Sequence, residues 1–209
     1  MLLNKEAGVQ VLALIAGLIY LAGYFPYVIG MWRGQTRPSK ASWIIWAALD
    51  LITAGEMYSK DALNWQMVGA AIGSTVIIIL VCRVGKPGWT RTDKICLALA
   101  GVAVLVWQGF DSPLLGLGCS LCGALIGLYP TVEAAWVKPE DENRLGWTLW
   151  FVSCVLAVVA IPQWTREDAA QPIVFLVQEV VMVYVLYVRP WRLGMVKVGR
   201  ERIVHTMSD

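Results

Sequence analysis

Charged residues are scarce in this sequence. Asp, Glu, Lys and Arg make up 15% of its 209 residues, whereas a soluble domain averages about a quarter. Hydrophobic residues make up 58%, and the mean hydropathy is +0.62. This composition excludes an ordinary water-soluble domain, and the net charge of +2 gives no indication of nucleic-acid binding.

Residues for catalysis and metal binding are equally scarce. His205 is the only histidine, and the apolar runs described below contain no lysine. An intramembrane hydrolase would need a paired aspartate, a Ser–Lys or Ser–His pair, or a metal–histidine set. The missing lysine in the last run also excludes a retinal Schiff base. Cys119 and Cys122 have the spacing of a metal or redox pair, but no second pair exists. We therefore predict no enzymatic activity, no cofactor and no metal.

Long apolar runs dominate the chain instead. Seven of them approach the roughly 17–25 residues that a membrane-spanning helix needs. They cover residues 8–32, 41–57, 67–84, 95–110, 113–136, 145–162 and 172–188. The sequence therefore predicts an all-α integral membrane protein with seven transmembrane helices.

The connections between these runs predict the orientation. The side that holds the N-terminus carries only Lys5, Lys60 and Arg166, and the other side carries the remaining fourteen of the 17 lysines and arginines. Cytoplasmic loops are enriched in basic residues. We expect the N-terminus outside and the C-terminus in the cytoplasm.

A stretch near the start of the chain recurs 104 residues later. GYFPYVIGMWRGQTRPSKASWIIW (23–46) aligns without a gap with GLYPTVEAAWVKPEDENRLGWTLW (127–150). The chain has 11 tryptophans, so three aligned tryptophan pairs in one window indicate an internal repeat. The identical positions are Leu21, Gly23, Pro26, Val28, Trp32, Trp43 and Trp46, which fall on Leu125, Gly127, Pro130, Val132, Trp136, Trp147 and Trp150.

The repeat predicts the architecture. Spans one to three and five to seven form two three-helix repeats, and the fourth span joins them. Because a three-helix unit begins and ends on opposite sides of the membrane, one linker helix makes the two repeats parallel, a known transporter plan. The expected units are 1–84, the first repeat; 85–111, the linker with helix four; 112–189, the second repeat; and 190–209, a basic cytoplasmic tail.

This pattern resembles the PQ-loop superfamily, which includes the SWEET sugar facilitators and the similarly built nicotinamide-riboside transporters. In those families a proline and a glutamine lie near the cytoplasmic end of the first helix of each unit. This chain has Pro26-Tyr27 and Pro130-Thr131 at those places. The resemblance implies a 3+1+3 SWEET-like fold, and the motifs look like those of a bacterial branch, which implies a bacterial inner membrane.

The prolines and tryptophans of the repeat suggest moving parts and a cavity. Pro26 and Pro130 interrupt the hydrogen bonding of their helices, and two interpretations remain open: a paired hinge at an inner gate, or a static kink. Most of the tryptophans near the cytoplasmic connections are interpreted as anchors at the membrane surface. Trp46 and Trp150, one turn deeper, are predicted to line a cavity.

Ionisable residues within the runs are the remaining candidates. Asp50 and Glu179 lie mid-span, where a carboxyl is costly and usually faces the bundle or a wet cavity; a purely structural role is the alternative. Glu133 is expected to reach the cytoplasmic surface, and the acidic loop 140–142 is expected to be solvated. In SWEET-like proteins, polar residues of the third helix face the substrate. The predicted substrate-binding residues are Ser74, Thr75, Gln178, Glu179, Asp50, Trp46 and Trp150.

The predicted function is a small-solute membrane transporter that works by alternating access between its two repeats. A receptor or sensor with the same fold is the alternative, because a fold alone does not determine function. The expected partners are a small polar solute and, at the basic tail, membrane lipid. The sequence leaves open the substrate, ion coupling and whether the chain forms a homo-oligomer.

Overall fold

The structure, a computed structural model, describes residues 2–84, 89–109 and 113–193, and all regular structure within these ranges is helical. Each of the seven predicted runs coincides with one helix, which confirms the all-α prediction. The helices are α1 (Leu2–Trp32), α2 (Lys40–Ser59), α3 (Trp65–Val84), α4 (Arg91–Gln108), α5 (Pro113–Val137), α6 (Arg144–Val159) and α7 (Arg166–Val183). A 3-10 turn (Pro139–Asp141) precedes α6, and a π-helical turn (Tyr184–Val188) continues α7 into a last turn, Arg189–Arg192.

Four helices are long and apolar enough to cross a membrane. They are Ala7–Trp32, Trp65–Arg83, Leu114–Val137 and Arg166–Arg192. α6 is apolar too but has only 16 residues, α2 includes Asp50 and Glu56, and α4 begins with several charged residues. The helical structure therefore supports a membrane-embedded protein. Most of the predicted basic tail, together with His205, lies outside the described residues.

Helices α2 and α6 begin in the same way. Ser39 caps α2 by accepting a hydrogen bond from the Ser42 backbone nitrogen at 3.3 Å, and Asn143 caps α6 by accepting one from the Gly146 nitrogen at 2.8 Å. Side-chain oxygens at this position satisfy backbone donors that the first helical turn leaves free. Ser39 and Asn143 are 104 residues apart, the spacing of the sequence repeat.

Helix packing joins the first part of the chain to the last. α1 packs against α3 and α6, α2 packs against α3 and α5, and α7 packs against both α5 and α6. α4 packs mainly against α5, at the side of the bundle. Residues 2–84 therefore meet residues 113–192 mainly through two interfaces, α1 with α6 and α2 with α5. The candidate site lies between these two interfaces.

Candidate functional site

Two hydrogen bonds tie the halves of the chain together in the same way. The indole nitrogen of Trp46 in α2 donates to the Ala124 carbonyl of α5 at 3.0 Å, and that of Trp150 in α6 donates to the Tyr20 carbonyl of α1 at 3.0 Å. Both donors and both acceptors are separated by 104 residues. The repeated tryptophans thus make equivalent bonds, each to the first helix of the other half.

Four indoles form a closed ring at the centre of the bundle. The ring centroids of Trp43 and Trp46 are 5.3 Å apart and those of Trp147 and Trp150 are 5.1 Å apart, both pairs being edge-on. The two contacts between halves, Trp46 with Trp147 and Trp43 with Trp150, measure 6.2 Å and 6.0 Å. We call these four side chains the indole ring. Edge-on aromatic pairs at these distances have a favourable interaction energy in addition to the energy gained from burying their apolar area.

The burial of Trp43 and Trp147 differs from the sequence interpretation. Their side chains are only 3% and 2% exposed, so they are core residues and not anchors at the bundle surface. Trp32 is 84% exposed and Trp136 is 46% exposed, which agrees with the surface position expected for them. The repeat thus contains one outward tryptophan and two inward ones in each copy.

A small cavity adjoins the indole ring. Its volume is about 30 Å³, which is room for a water molecule or two. It combines aromatic side chains from both halves with two carboxyls and an amide. The lining residues are Tyr20, Tyr24, Trp43, Trp46, Asp50, Ala124, Trp147, Trp150, Phe175, Gln178 and Glu179.

The structure brings together five of the seven predicted substrate-binding residues. Trp46, Asp50, Trp150, Gln178 and Glu179 line this cavity, although they come from three helices, α2, α6 and α7. Both carboxyl residues are buried, with 6% of Asp50 and 5% of Glu179 exposed. The carboxyls that the sequence marks as costly in a membrane therefore share one cavity.

The remaining two predicted residues, Ser74 and Thr75, do not line the cavity. Ser74 is fully buried, and its hydroxyl donates to the Ala71 carbonyl of its own helix at 3.5 Å. Thr75 points away from the core, and its hydroxyl donates to the Ala71 carbonyl of its own helix at 2.7 Å. Adjacent residues on a helix point about 100° apart, which agrees with Ser74 being buried and Thr75 being exposed.

A buried carboxyl closes the bundle beyond the indole ring. Glu142, in the connection between α5 and α6, accepts hydrogen bonds at one oxygen from the Tyr27 hydroxyl at 3.1 Å and from the Trp147 indole at 3.0 Å. The Trp43 indole in turn donates to the Tyr27 hydroxyl at 3.3 Å. Glu142 is 5% exposed, so the expectation of a solvated acidic loop is wrong for this residue.

The connection that carries Glu142 also docks on the first half by its backbone. The Arg37 nitrogen donates to the Asp141 carbonyl at 2.9 Å, and the Asn143 amide donates to the Pro26 carbonyl at 2.8 Å. Gly30 admits this approach, because a Cβ there would lie 2.8 Å from the Asn143 amide nitrogen. We call the group Tyr27, Glu142 and Asn143 the seal.

The sequence offered a partial signal for the seal. Tyr27 and Thr131 occupy equivalent places directly after the two prolines, which marks the position in both copies. The Thr131 hydroxyl donates to Ser42 at 2.8 Å, again between α5 and α2. Nothing in the sequence distinguished Glu142 from its exposed neighbour Glu140.

The opposite end of the bundle is closed by amides. The Gln171 side chain donates to Gln66 at 3.2 Å, and Gln66 donates to the Ser153 hydroxyl at 3.3 Å and to the Cys154 sulfur at 3.1 Å. Asn64 donates to Gln171 at 2.8 Å. We call these residues the amide network; its bonds cross from the first half to the second.

An open vestibule lies outside the amide network. Its volume is about 330 Å³, and Gln66 is one of its lining residues. It lies where the α2–α3 connection meets the start of α7, and its acidic residues are Asp61 and Asp168. The bundle therefore contains, in order, a vestibule, an amide network, a small cavity, an indole ring and a seal.

Pro26 and Pro130 lie inside continuous helices. Each precedes a residue that bonds to the other half, Tyr27 in the seal and Thr131 with Ser42. Their roles as hinge or kink stay predictions. Glu133 is exposed, as expected for a residue near the surface.

Comparison with known protein families, with curated proteins and with solved structures finds no match to this chain.

Proposed function

We propose that the protein is a small-solute membrane transporter of SWEET-like design that works by alternating access between two three-helix repeats. One observation carries the proposal: the cavity is closed at both ends by contacts that cross from one half of the chain to the other. Trp46 contacts Trp147 at one end, and Gln66 bonds to Gln171 at the other. A rocking motion of one half against the other would break one closure while the second holds.

The parallel repeat is supported by the exchanged hydrogen bonds. Trp46 and Trp150 make equivalent bonds to equivalent positions in the opposite half, and Ser39 and Asn143 cap equivalent helices. The packing of α1 on α6 mirrors that of α5 on α2. In this arrangement α4 is the linker helix that returns the second repeat to the orientation of the first.

The membrane setting follows from length, hydropathy and charge. Three further helices, α2, α4 and α6, would join the four that are long and apolar enough to span. The seal lies at the end of the bundle that carries the basic connections, so we assign that end to the cytoplasm and the vestibule to the outside of a bacterial inner membrane.

The size of the cavity indicates which step of the cycle this conformation represents. A volume of about 30 Å³ holds water but no sugar-sized solute. The cavity therefore has to widen before a solute binds. In the proposed cycle this conformation is the occluded one, because contacts between the halves close the cavity at both ends; the vestibule of about 330 Å³ lies outside the amide network.

Uptake into proteoliposomes tests the proposal. The full chain is reconstituted, and flux of labelled sugars, nucleosides, vitamins, amino acids and amines is compared with that into protein-free vesicles. We expect saturable flux of at least one class. Gln178→Leu, in the cavity wall, should lower that flux at least about fivefold, since an unmet solute group costs about 1–3 kcal/mol.

A matched variant separates a cavity effect from a folding effect. Val177 is the neighbouring residue on α7 and is 50% exposed, so Val177→Leu should leave the flux unchanged. If Gln178→Leu does not alter the saturable flux, the solute does not pass through this cavity. Binding without flux of any solute class would favour the receptor of the same fold instead.

A further inference from the structure

The cavity contains a carboxyl oxygen that lacks a protein partner. Glu179 is 5% exposed, and its Oε2 atom has no hydrogen-bond partner within the described part of the chain. A buried polar oxygen without a partner is costly, and such exceptions in folded proteins call for a specific explanation. Its position in the wall of a cavity points to a ligand that supplies a donor or a positive charge.

The charges around Glu179 select the sign of that ligand. Asp50 is the second carboxyl in the wall, and none of the lining residues is a lysine, an arginine or a histidine. An anion would meet two carboxyls and no base. A zwitterion such as an amino acid would bring a carboxylate into the same surroundings, so a cation without its own carboxylate fits best.

The aromatic wall presents ring faces and edges but no free indole donor. All four N–H groups of the indole ring are used within the protein. They donate to the Tyr27 hydroxyl, the Ala124 carbonyl, Glu142 and the Tyr20 carbonyl. A sugar would therefore find few donors for its oxygens, whereas a cation needs only the negative ring faces.

The vestibule has the same sign of charge as the cavity. Asp61 and Asp168 line it together with the amides of Gln10, Asn64 and Gln66, and none of its lining residues is basic. Carboxylates around a concave surface raise the local concentration of cations. The two spaces that a solute would pass through successively are therefore both suited to positive charge.

We propose that the cavity binds a small organic cation, an alkylammonium or quaternary ammonium group without a carboxylate. The cation contacts the faces of the indole ring and pairs with the carboxyls of Glu179 and Asp50. This inference rests on the proposed function, because it names the class of solute that the same cavity takes.

Ligand pairs that differ only in charge test the proposal. The full-length protein in detergent is titrated with choline, ethanolamine and methylammonium while tryptophan fluorescence is recorded. The uncharged isostere of choline, with a tert-butyl group in place of trimethylammonium, and glycine betaine, which adds a carboxylate, are the controls. We expect choline to bind at least about tenfold more tightly than either control.

Variants of the two glutamates assign the effect to the cavity. Glu179→Gln should weaken choline at least about tenfold and leave the uncharged isostere unchanged. Without ligand, its melting temperature should not fall, because the substitution keeps the size of the side chain, removes its charge and breaks no hydrogen bond at Oε2 within the described part of the chain. Glu133→Gln, at an exposed position on α5, should bind choline as the natural protein does.

The outcomes distinguish this inference from the proposed function. Equal binding of choline and its isostere, unchanged binding by Glu179→Gln, or no binding of any of the three amines overturns the inference. Saturable uptake of sugars or other uncharged solutes without uptake of amines would support the transporter function and contradict the proposal that the solute is a cation. Choline binding without uptake would support the cation as the ligand and contradict the transporter function.

Discussion

Residues 2–84 and residues 113–193 hold each other by the same bonds but present different chemistry to the cavity. Trp46 donates to Ala124, and Trp150 donates to Tyr20, at the same distance of 3.0 Å. The cavity positions that carry carboxyls are not matched in this way: Asp50 corresponds to Cys154 under the 104-residue offset. The two halves are therefore alike at the two tryptophan bonds that join them and unlike at the carboxyls of the cavity.

The third helices differ in the same sense. Ser74 and Thr75 of α3 correspond to Gln178 and Glu179 of α7, so only α7 contributes a carboxyl. A solute has no two-fold symmetry of its own, so a binding cavity between related halves gains specificity from unlike walls. The seal has no equivalent in the other copy either: Tyr27 bonds to Glu142, whereas the matching residue Thr131 bonds to the Ser42 hydroxyl.

Truncating the paired tryptophans should give the largest effects. Trp46→Ala and Trp150→Ala each remove a buried indole and its bond to the opposite half, and each should lower the free energy of unfolding by about 3–5 kcal/mol. Denaturant unfolding of the detergent-solubilised protein measures the loss. Trp32→Ala is the control, because that side chain is 84% exposed. A large loss from one variant and almost none from the other would contradict the equivalence of the two bonds.

The contacts of Tyr27 and Thr131, by contrast, should contribute unequally to the free energy of unfolding. Glu142→Ala leaves the Tyr27 hydroxyl and the Trp147 indole without their shared acceptor, which should cost about 2–3 kcal/mol. Ser42→Ala removes the weaker counterpart and should cost about 1 kcal/mol. The same unfolding measurement compares them, with exposed Glu140→Ala as the control. Equal losses for Glu142→Ala and Ser42→Ala would mean that the contacts of Tyr27 and Thr131 are energetically alike.

The sequence was sufficient for the helices and for much of the cavity. Seven apolar runs predicted α1 to α7, because a helix in lipid needs unbroken hydrophobic length. Asp50 and Glu179 were found because a carboxyl within such a run is costly and has to face polar surroundings. Both features can be recognised from the order of residues along the chain, without knowledge of how the helices pack.

The sequence did not reveal features that depend on the direction in which a side chain points or on contacts between distant segments. Trp43 was interpreted as a surface anchor, because an interfacial tryptophan and a buried one near a helix end look alike in sequence. Thr75 and Ser74 are adjacent, and the choice between them requires the rotation of α3. Glu142 becomes buried only because its connection docks on Tyr27, a residue 115 positions away.

Replacing the equivalent glycines Gly23 and Gly127 by alanine should have intermediate effects on stability, because other side chains lie close to both. A Cβ on Gly23 would lie 2.5 Å from the Trp150 indole nitrogen, whereas one on Gly127 would meet the Ile45 Cγ2 methyl at 2.8 Å. The rigid indole has less room to move, so Gly23→Ala should cost about 1–3 kcal/mol and Gly127→Ala less.

A third glycine provides the control for that comparison. Gly118 lies on α5, and nothing lies within 4 Å of a Cβ built there. Gly118→Ala should therefore be neutral or stabilise the protein by up to about 1 kcal/mol, because alanine favours the helix. Destabilisation by Gly118→Ala equal to that by Gly23→Ala would show that helix backbone, and not contact with Trp150, sets the cost.

The helix caps should give the smallest effects and test the equivalence of the halves at the starts of α2 and α6. Ser39→Ala should cost about 1 kcal/mol, the usual value for a lost N-cap. Asn143→Ala loses the cap of α6 and also the bond to the Pro26 carbonyl, so it should cost about 1 kcal/mol more. Asn143→Ser keeps a capping oxygen but no donor that reaches Pro26, so it should recover only the cap. Full recovery by Asn143→Ser would mean that the bond to Pro26 adds nothing, and that the two caps are equivalent in energy as well as in position.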